Sequence, residues 1–102
     1  MEFVTEKSKE EILKDLKIYC FWDTNEDLEP YKEFLRTGDD TLLSIYKKKL
    51  LYYKILNGFS WHAIMKILPQ GKLRELLEED VLVRLFPKSL ITNYRYVKGV
   101  LL

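Results

Sequence analysis

The chain has 102 residues, 47% of them hydrophobic and 32% charged, which suits one globular domain and excludes an intrinsically disordered chain. Its lone cysteine, Cys20, excludes an intrachain disulfide and fits a reducing compartment. No apolar run approaches the roughly 18 residues of a membrane span, and the acidic N-terminus MEFVTEKSKEEI lacks the apolar core of a signal peptide, so a cytoplasmic protein is expected.

The net charge of +1 conceals an uneven distribution. Residues 1–40 carry 6 Lys/Arg against 12 Asp/Glu, a net of −6, whereas residues 41–102 carry 11 against 4, a net of +7. Either the acidic half packs against the basic half, or the basic half faces an anionic partner.

Residues 1–7 show no strong period and read as a flexible tail that Phe3 and Val4 could dock. Ser8 and Glu11 form a capping box, in which each side chain takes a backbone N–H of the other residue. Ile12, Leu13, Leu16, Tyr19 and Cys20 make the apolar stripe of the helix that follows. Phe21 and Trp22 fall off the stripe, so the helix should end there with both rings turned inward. A polar turn from Asp23 to Asp27 leads to a short helix opened by Pro30 and closed by Gly38.

A long central helix is expected from about residue 40 to 57, capped by Asp39 or Asp40 and stopped by Gly58 in the left-handed conformation. At about 100° per residue, Leu42, Leu43, Ile45, Tyr46, Leu50, Tyr52, Tyr53 and Leu56 share one face. Leu51 and Ile55 touch each other on the opposite side. A helix apolar on two sides is packed on two sides. Lys49 lies in the apolar face, either with its ammonium reaching out to water or with a partner carboxylate or anionic ligand.

Ser60 should cap the next helix, whose stripe is Trp61, Ile64, Met65 and Leu68 and which Pro69 ends. Residues 70–79 read as another helix with Leu73, Leu76 and Leu77 inward. Residues 81–86 suit a helical turn or a short strand, with helical neighbours favouring the turn. After Pro87, Ser89 should cap a last helix striped by Leu90, Tyr94, Val97 and Leu101. Its residues 93–98 also permit a strand. The whole reads as an all-α single domain, a compact bundle of five to six helices around the central one.

Little here suggests catalysis. The one histidine, His62, sits beside the Trp61 stripe and reads as an edge residue. One Cys and one His do not make a structural zinc site. Gly38, Gly58, Gly71 and Gly99 are scattered and open no phosphate-cradling loop. The acidic run Glu78-Glu79-Asp80 reads as a solvated helix end. No metal, no small-molecule cofactor and no enzymatic activity are expected.

Binding is the better reading. Seven Tyr, 5 Phe and 2 Trp are a heavy aromatic load, and Tyr and Trp favour protein interfaces. Phe21 with Trp22, and Leu51 with Ile55, are the candidates for a patch that covers a protein partner or a second copy.

Nucleic acid is the alternative, through the basic segment 41–102. Residues 52–77, YYKILNGFSWHAIMKILPQGKLRELL, resemble the opening of a helix-turn-helix domain. The resemblance implies Lys72 and Arg74 as base readers, with Lys54 and Lys66 on the phosphates. The same reading helix carries Glu75, Glu78 and Glu79, which repel phosphate. The last helix adds Arg95, Tyr96 and Lys98, a basic and aromatic combination that suits single strands.

A second likeness lies upstream. Phe21-Trp22-Asp23, then Leu28 and a short helix to Gly38-Asp39, resemble the opening of small uncharacterised prokaryotic domains with an F-W-D motif, encoded beside nucleotidyltransferase-type toxin genes. This implies a non-catalytic accessory or antitoxin-like partner protein and gives no single residue a role.

Overall fold

Helix α1, Lys9–Lys14, starts where its capping box predicts: Ser8 N–H donates to Glu11 Oε1 at 2.9 Å, and Glu11 N–H to Ser8 Oγ at 3.3 Å. The computed structural model describes residues 8–102, so the expected tail at 1–7 lies outside the described residues. After Asp15 the chain forms α2, Leu16–Tyr19. Ile12, Leu13, Leu16 and Cys20 are buried, as the stripe requires. Phe21 also turns inward, onto the Tyr31 ring at 4.9 Å between centroids. Trp22 does not; it stays 73% exposed.

Helix α3, Glu29–Thr37, holds Pro30 in its first turn and buries Tyr31, Phe34 and Leu35. Gly38 closes it at φ 73°, a conformation that favours glycine, and its N–H reaches Phe34 O at 2.7 Å.

The central helix is shorter than its sequence suggests. Asp39 caps only a 3-10 turn, Asp40–Leu42. Leu43 is then extended and buried, and Ser44 caps α4, Ile45–Gly58, by accepting the Lys47 N–H. The expected start near residue 40 is therefore corrected: pulling Leu43 into the core breaks the helical path. The buried face is corrected too. Leu51, Tyr52, Ile55 and Leu56 are buried, while Ile45 and Tyr46, in the first turn of the helix, stand 70% and 65% exposed. Helices α2, α5, α6 and α7 all pack on α4, which is central as expected.

Gly58 is not left-handed; Gly38 and Gly71 are the glycines at positive φ. Ser60 caps α5, Trp61–Ile67, through the Ala63 N–H, and Leu68 turns extended before Pro69. The single helix expected over 70–79 is two one-turn pieces, α6 at Leu73–Leu76 and α7 at Glu79–Leu82, split by an extended Glu78. The reason is geometric. Leu76-Leu77 and Val81-Leu82 are five positions apart, which in one continuous helix would turn them about 140° from each other. The break lets all four reach 0% exposure.

Residues 83–87 turn, so no strand forms there. Helix α8, Lys88–Leu101, starts directly after Pro87, whose carbonyl accepts the Leu90 N–H at 3.0 Å. Ser89 thus lies inside the first turn and is not the cap, and residues 93–98 are helical. Tyr94 is buried, but Leu101 at the end of its stripe is 50% exposed. The result is an all-α bundle with one continuous core and, among the described residues, no strand. No described helix is long and apolar enough to cross a membrane.

Candidate protein-docking groove

The charge split resolves largely within the molecule. Lys47 reaches Glu26 at 2.8 Å, Lys54 reaches Asp23 at 2.9 Å, and Lys48 and Lys72 converge on Asp40 at 3.0 and 2.7 Å. Each of these pairs joins the basic half to the acidic half. Their hydrogen bonds hold the Asp23, Glu26 and Asp40 carboxyls below the usual range. Lys49, in the sequence a choice between solvent and a carboxylate, meets Asp80 at the protein's rim. A shared carboxylate site also forms around Glu75, which accepts the Tyr52 hydroxyl at 2.8 Å; burial, then this bond, pushes the phenol up.

This wiring decides where the nucleic-acid candidates stand. Lys54 is held on Asp23 and Lys72 on Asp40, each with a largely covered side chain. Lys66 is part-buried on α5. The helix assigned as reader, α6, is four residues long, and Lys72 is its capping position rather than an exposed reader. The continuous helix expected over 70–79, on which the helix-turn-helix resemblance places Lys72 and Arg74 as readers, is thus replaced by two single turns. Arg74, Arg95 and Lys98 do come together, around a shallow cleft of about 690 Å³. Glu78 and Glu79 share its walls, and Glu79 binds Arg95 at 2.7 Å. Tyr96 is 73% exposed on α8.

The protein-interface candidates divide sharply. Phe21, Leu51 and Ile55 are 1%, 0% and 0% exposed. They are corrected to core residues: Phe21 packs on Tyr31, and Leu51 and Ile55 belong to the buried core cluster. Trp22 remains as a surface group, and it is not alone. It lines a groove of about 310 Å³ with Tyr19, Tyr53 and Phe86.

The groove is built from three separate segments. The end of α2 supplies Tyr19, whose ring leans on Phe59 at 6.1 Å. The turn after it supplies Trp22 and Asp23. The last turns of α4 supply Tyr53, Lys54 and Asn57, and residues 84–86 supply Arg84 and Phe86. Asn57 Oδ1 accepts the Phe86 N–H at 3.2 Å and so holds the third segment to α4. Lys54 Nζ, while bound to Asp23, lies 5.7 Å from the ring centres of both Phe21 and Tyr53. Cys20 Sγ lies beneath; burial pushes its thiol up to about 12, so the groove carries no thiolate.

Sequence reasoning found Trp22 and missed Tyr19, Tyr53 and Phe86. Tyr19 lies on a helical stripe that reads as core, yet is 52% exposed because α2 ends there. Phe86 closes an apolar run and gave the only usable signal: a large ring directly before Pro87, where a helix cannot continue.

Comparison with family models, curated proteins and solved structures finds no significant match.

Proposed function

We propose that this protein is a non-catalytic protein-interaction module whose partner docks on the groove between Trp22 and Phe86. One observation carries the reading. Two large rings, 73% and 80% exposed, come from opposite parts of the chain to flank one groove. Single exposed apolar residues are ordinary, but a cluster around a concavity is a feature of interfaces. Tryptophan and tyrosine are enriched among residues that dominate binding energy. The resemblance at Phe21-Trp22-Asp23 points the same way, toward an accessory, inhibitor or antitoxin-like partner protein, and places Trp22 within its motif.

The test is crosslinking and affinity capture in the native host with the wild-type chain and with Trp22→Ala/Phe86→Ala. Both side chains are exposed, so the variant should keep its helical circular dichroism. A partner captured by the wild type and lost by the variant supports the reading. The same partners on both sink it.

A second reading keeps one specific observation: Arg74, Arg95 and Lys98 converge around one cleft. An anionic strand could lie there, against the opposition of Glu78 and Glu79. Anisotropy titration with labelled single- and double-stranded DNA and RNA decides it. This reading requires affinity that falls steeply with salt and is lost in Arg74→Glu/Lys98→Glu. No binding at low salt removes it.

A further inference from the structure

We infer that the Trp22–Phe86 groove takes a short segment of a partner protein that carries one large apolar side chain with a carboxylate close to it in sequence. This rests on the docking reading above and adds the chemistry of the ligand. The groove's volume, about 310 Å³, is at the lower bound of small-ligand pockets, roughly 300–1,000 Å³. That is room for a side chain or two between the rings, not for a folded surface.

Charge then sets the second requirement. Among the described residues, the groove holds three charged side chains: Asp23, Lys54 and Arg84. Lys54 Nζ donates to both oxygens of Asp23, at 2.9 and 3.0 Å, so this pair is closed on itself. Arg84 is exposed, and no ion pair holds it among the described residues. The acid whose field it feels, Asp80, is already bound to Lys49. The groove therefore presents apolar rings and one uncommitted guanidinium. A guanidinium pairs best with a carboxylate, through two parallel hydrogen bonds.

The same charges argue against other occupants. A second copy docked groove to groove across a two-fold axis would bring two Arg84 guanidiniums into one interface, while each Asp23 is already bound by its own Lys54. A nucleic-acid strand needs several phosphate contacts, and one guanidinium does not supply them.

The test is selection of a random heptapeptide display library on the full chain, followed by titration of synthetic enriched peptides. Binding should be lost in Trp22→Ala. The enriched peptides should pair a Leu or aromatic residue with Asp or Glu one to four positions away. Arg84→Glu should weaken them on the order of tenfold, Arg84→Gln less, and replacing the peptide's acid by Lys should restore binding to Arg84→Glu. Arg84 is exposed, so these variants should keep wild-type circular dichroism. Peptides that need Trp22 but ignore Arg84→Glu would overturn the acidic ligand and leave the docking reading standing. Selection of basic peptides would do the same. Peptides indifferent to both Trp22 and Phe86 would overturn both proposals. Self-association that Trp22→Ala abolishes, seen by sedimentation, would replace the inferred ligand with a second copy.

Discussion

At Gly58 an added methyl group would sit 2.3 Å from the Tyr19 carbonyl oxygen and 2.8 Å from Cys20 Sγ. The backbone there is helical, so the usual expectation is that alanine would stabilise the helix, by about 0.5–1 kcal/mol. Crowding acts the other way. Forcing a methyl into packed backbone costs about 1–3 kcal/mol, and the first obstacle is a carbonyl, not a flexible side-chain end. Gly58→Ala should therefore lower the urea midpoint without changing the slope of the transition. A raised midpoint would show that α2 can withdraw from α4 at little cost. The sequence Asn57-Gly58 reads as a left-handed helix stop because that is the commonest local reason for such a pair. The actual reason, the α2 backbone some 40 positions earlier in the chain, is not local. Gly38 is the contrasting case: its role is local, and the sequence shows it.

Helix α8 is held less firmly than its length suggests. Of its 14 residues, Tyr94 is the one that is buried, with Leu90, Ile91 and Val97 part-covered. It rests on α7, on the Trp61 ring at 5.9 Å from Tyr94, and on the exposed Arg95–Glu79 pair. Helix α4, equally long, buries four residues and is packed from several sides. Local opening free energy follows buried apolar contact, so amides of 88–101 should exchange with deuterium well before those of 51–56. Tyr94→Ala removes the main anchor, at about 3 kcal/mol by the range for buried aromatic truncation. It should speed exchange in α8 selectively. Equal acceleration in α4 would mean that the two helices open as one unit. Element by element, the starts signalled by a local cap are legible in the sequence, as at Ser8, Pro30 and Ser60. The breaks at Leu43 and Glu78 are not. Both exist because the core draws in apolar residues whose spacing does not fit one continuous helix, and that demand is set by the elements around them.

Across the whole molecule, the −6 and +7 halves meet through Asp23–Lys54, Glu26–Lys47 and Asp40 with Lys72 and Lys48. The split itself is plain in the sequence, but which lysine meets which carboxylate depends on the fold. The groove is similar: Trp22 stands out as an aromatic off its stripe, whereas Tyr53 and Phe86 join it only when α4 and residues 84–86 come together. The ion pairs give the molecule a definite acid response. Hydrogen bonds from Lys54 to Asp23, from Lys47 and then Tyr31 to Glu26, and from Lys72 and then Lys48 to Asp40 lower all three carboxyls from their ordinary 3.8, 4.5 and 3.8. In the unfolded chain these groups return to their ordinary values and take up protons first. Their stabilisation is thus complete above about pH 5, shrinks as the pH falls through the unfolded values, and is lost below the depressed folded ones. The carboxylate of each pair is 31–53% exposed, so each contributes little alone, but the three act on the same seam. The urea midpoint should hold from pH 7 to about 5 and fall between about 5 and 3. In Asp23→Asn/Glu26→Gln/Asp40→Asn the midpoint at pH 7 should be lower and the fall over that window shallower, because the groups that titrate across the seam are gone. An unchanged slope would place the acid response in other pairs, such as Arg36–Glu10 or Arg95–Glu79, which lie within one half and do not hold the two together.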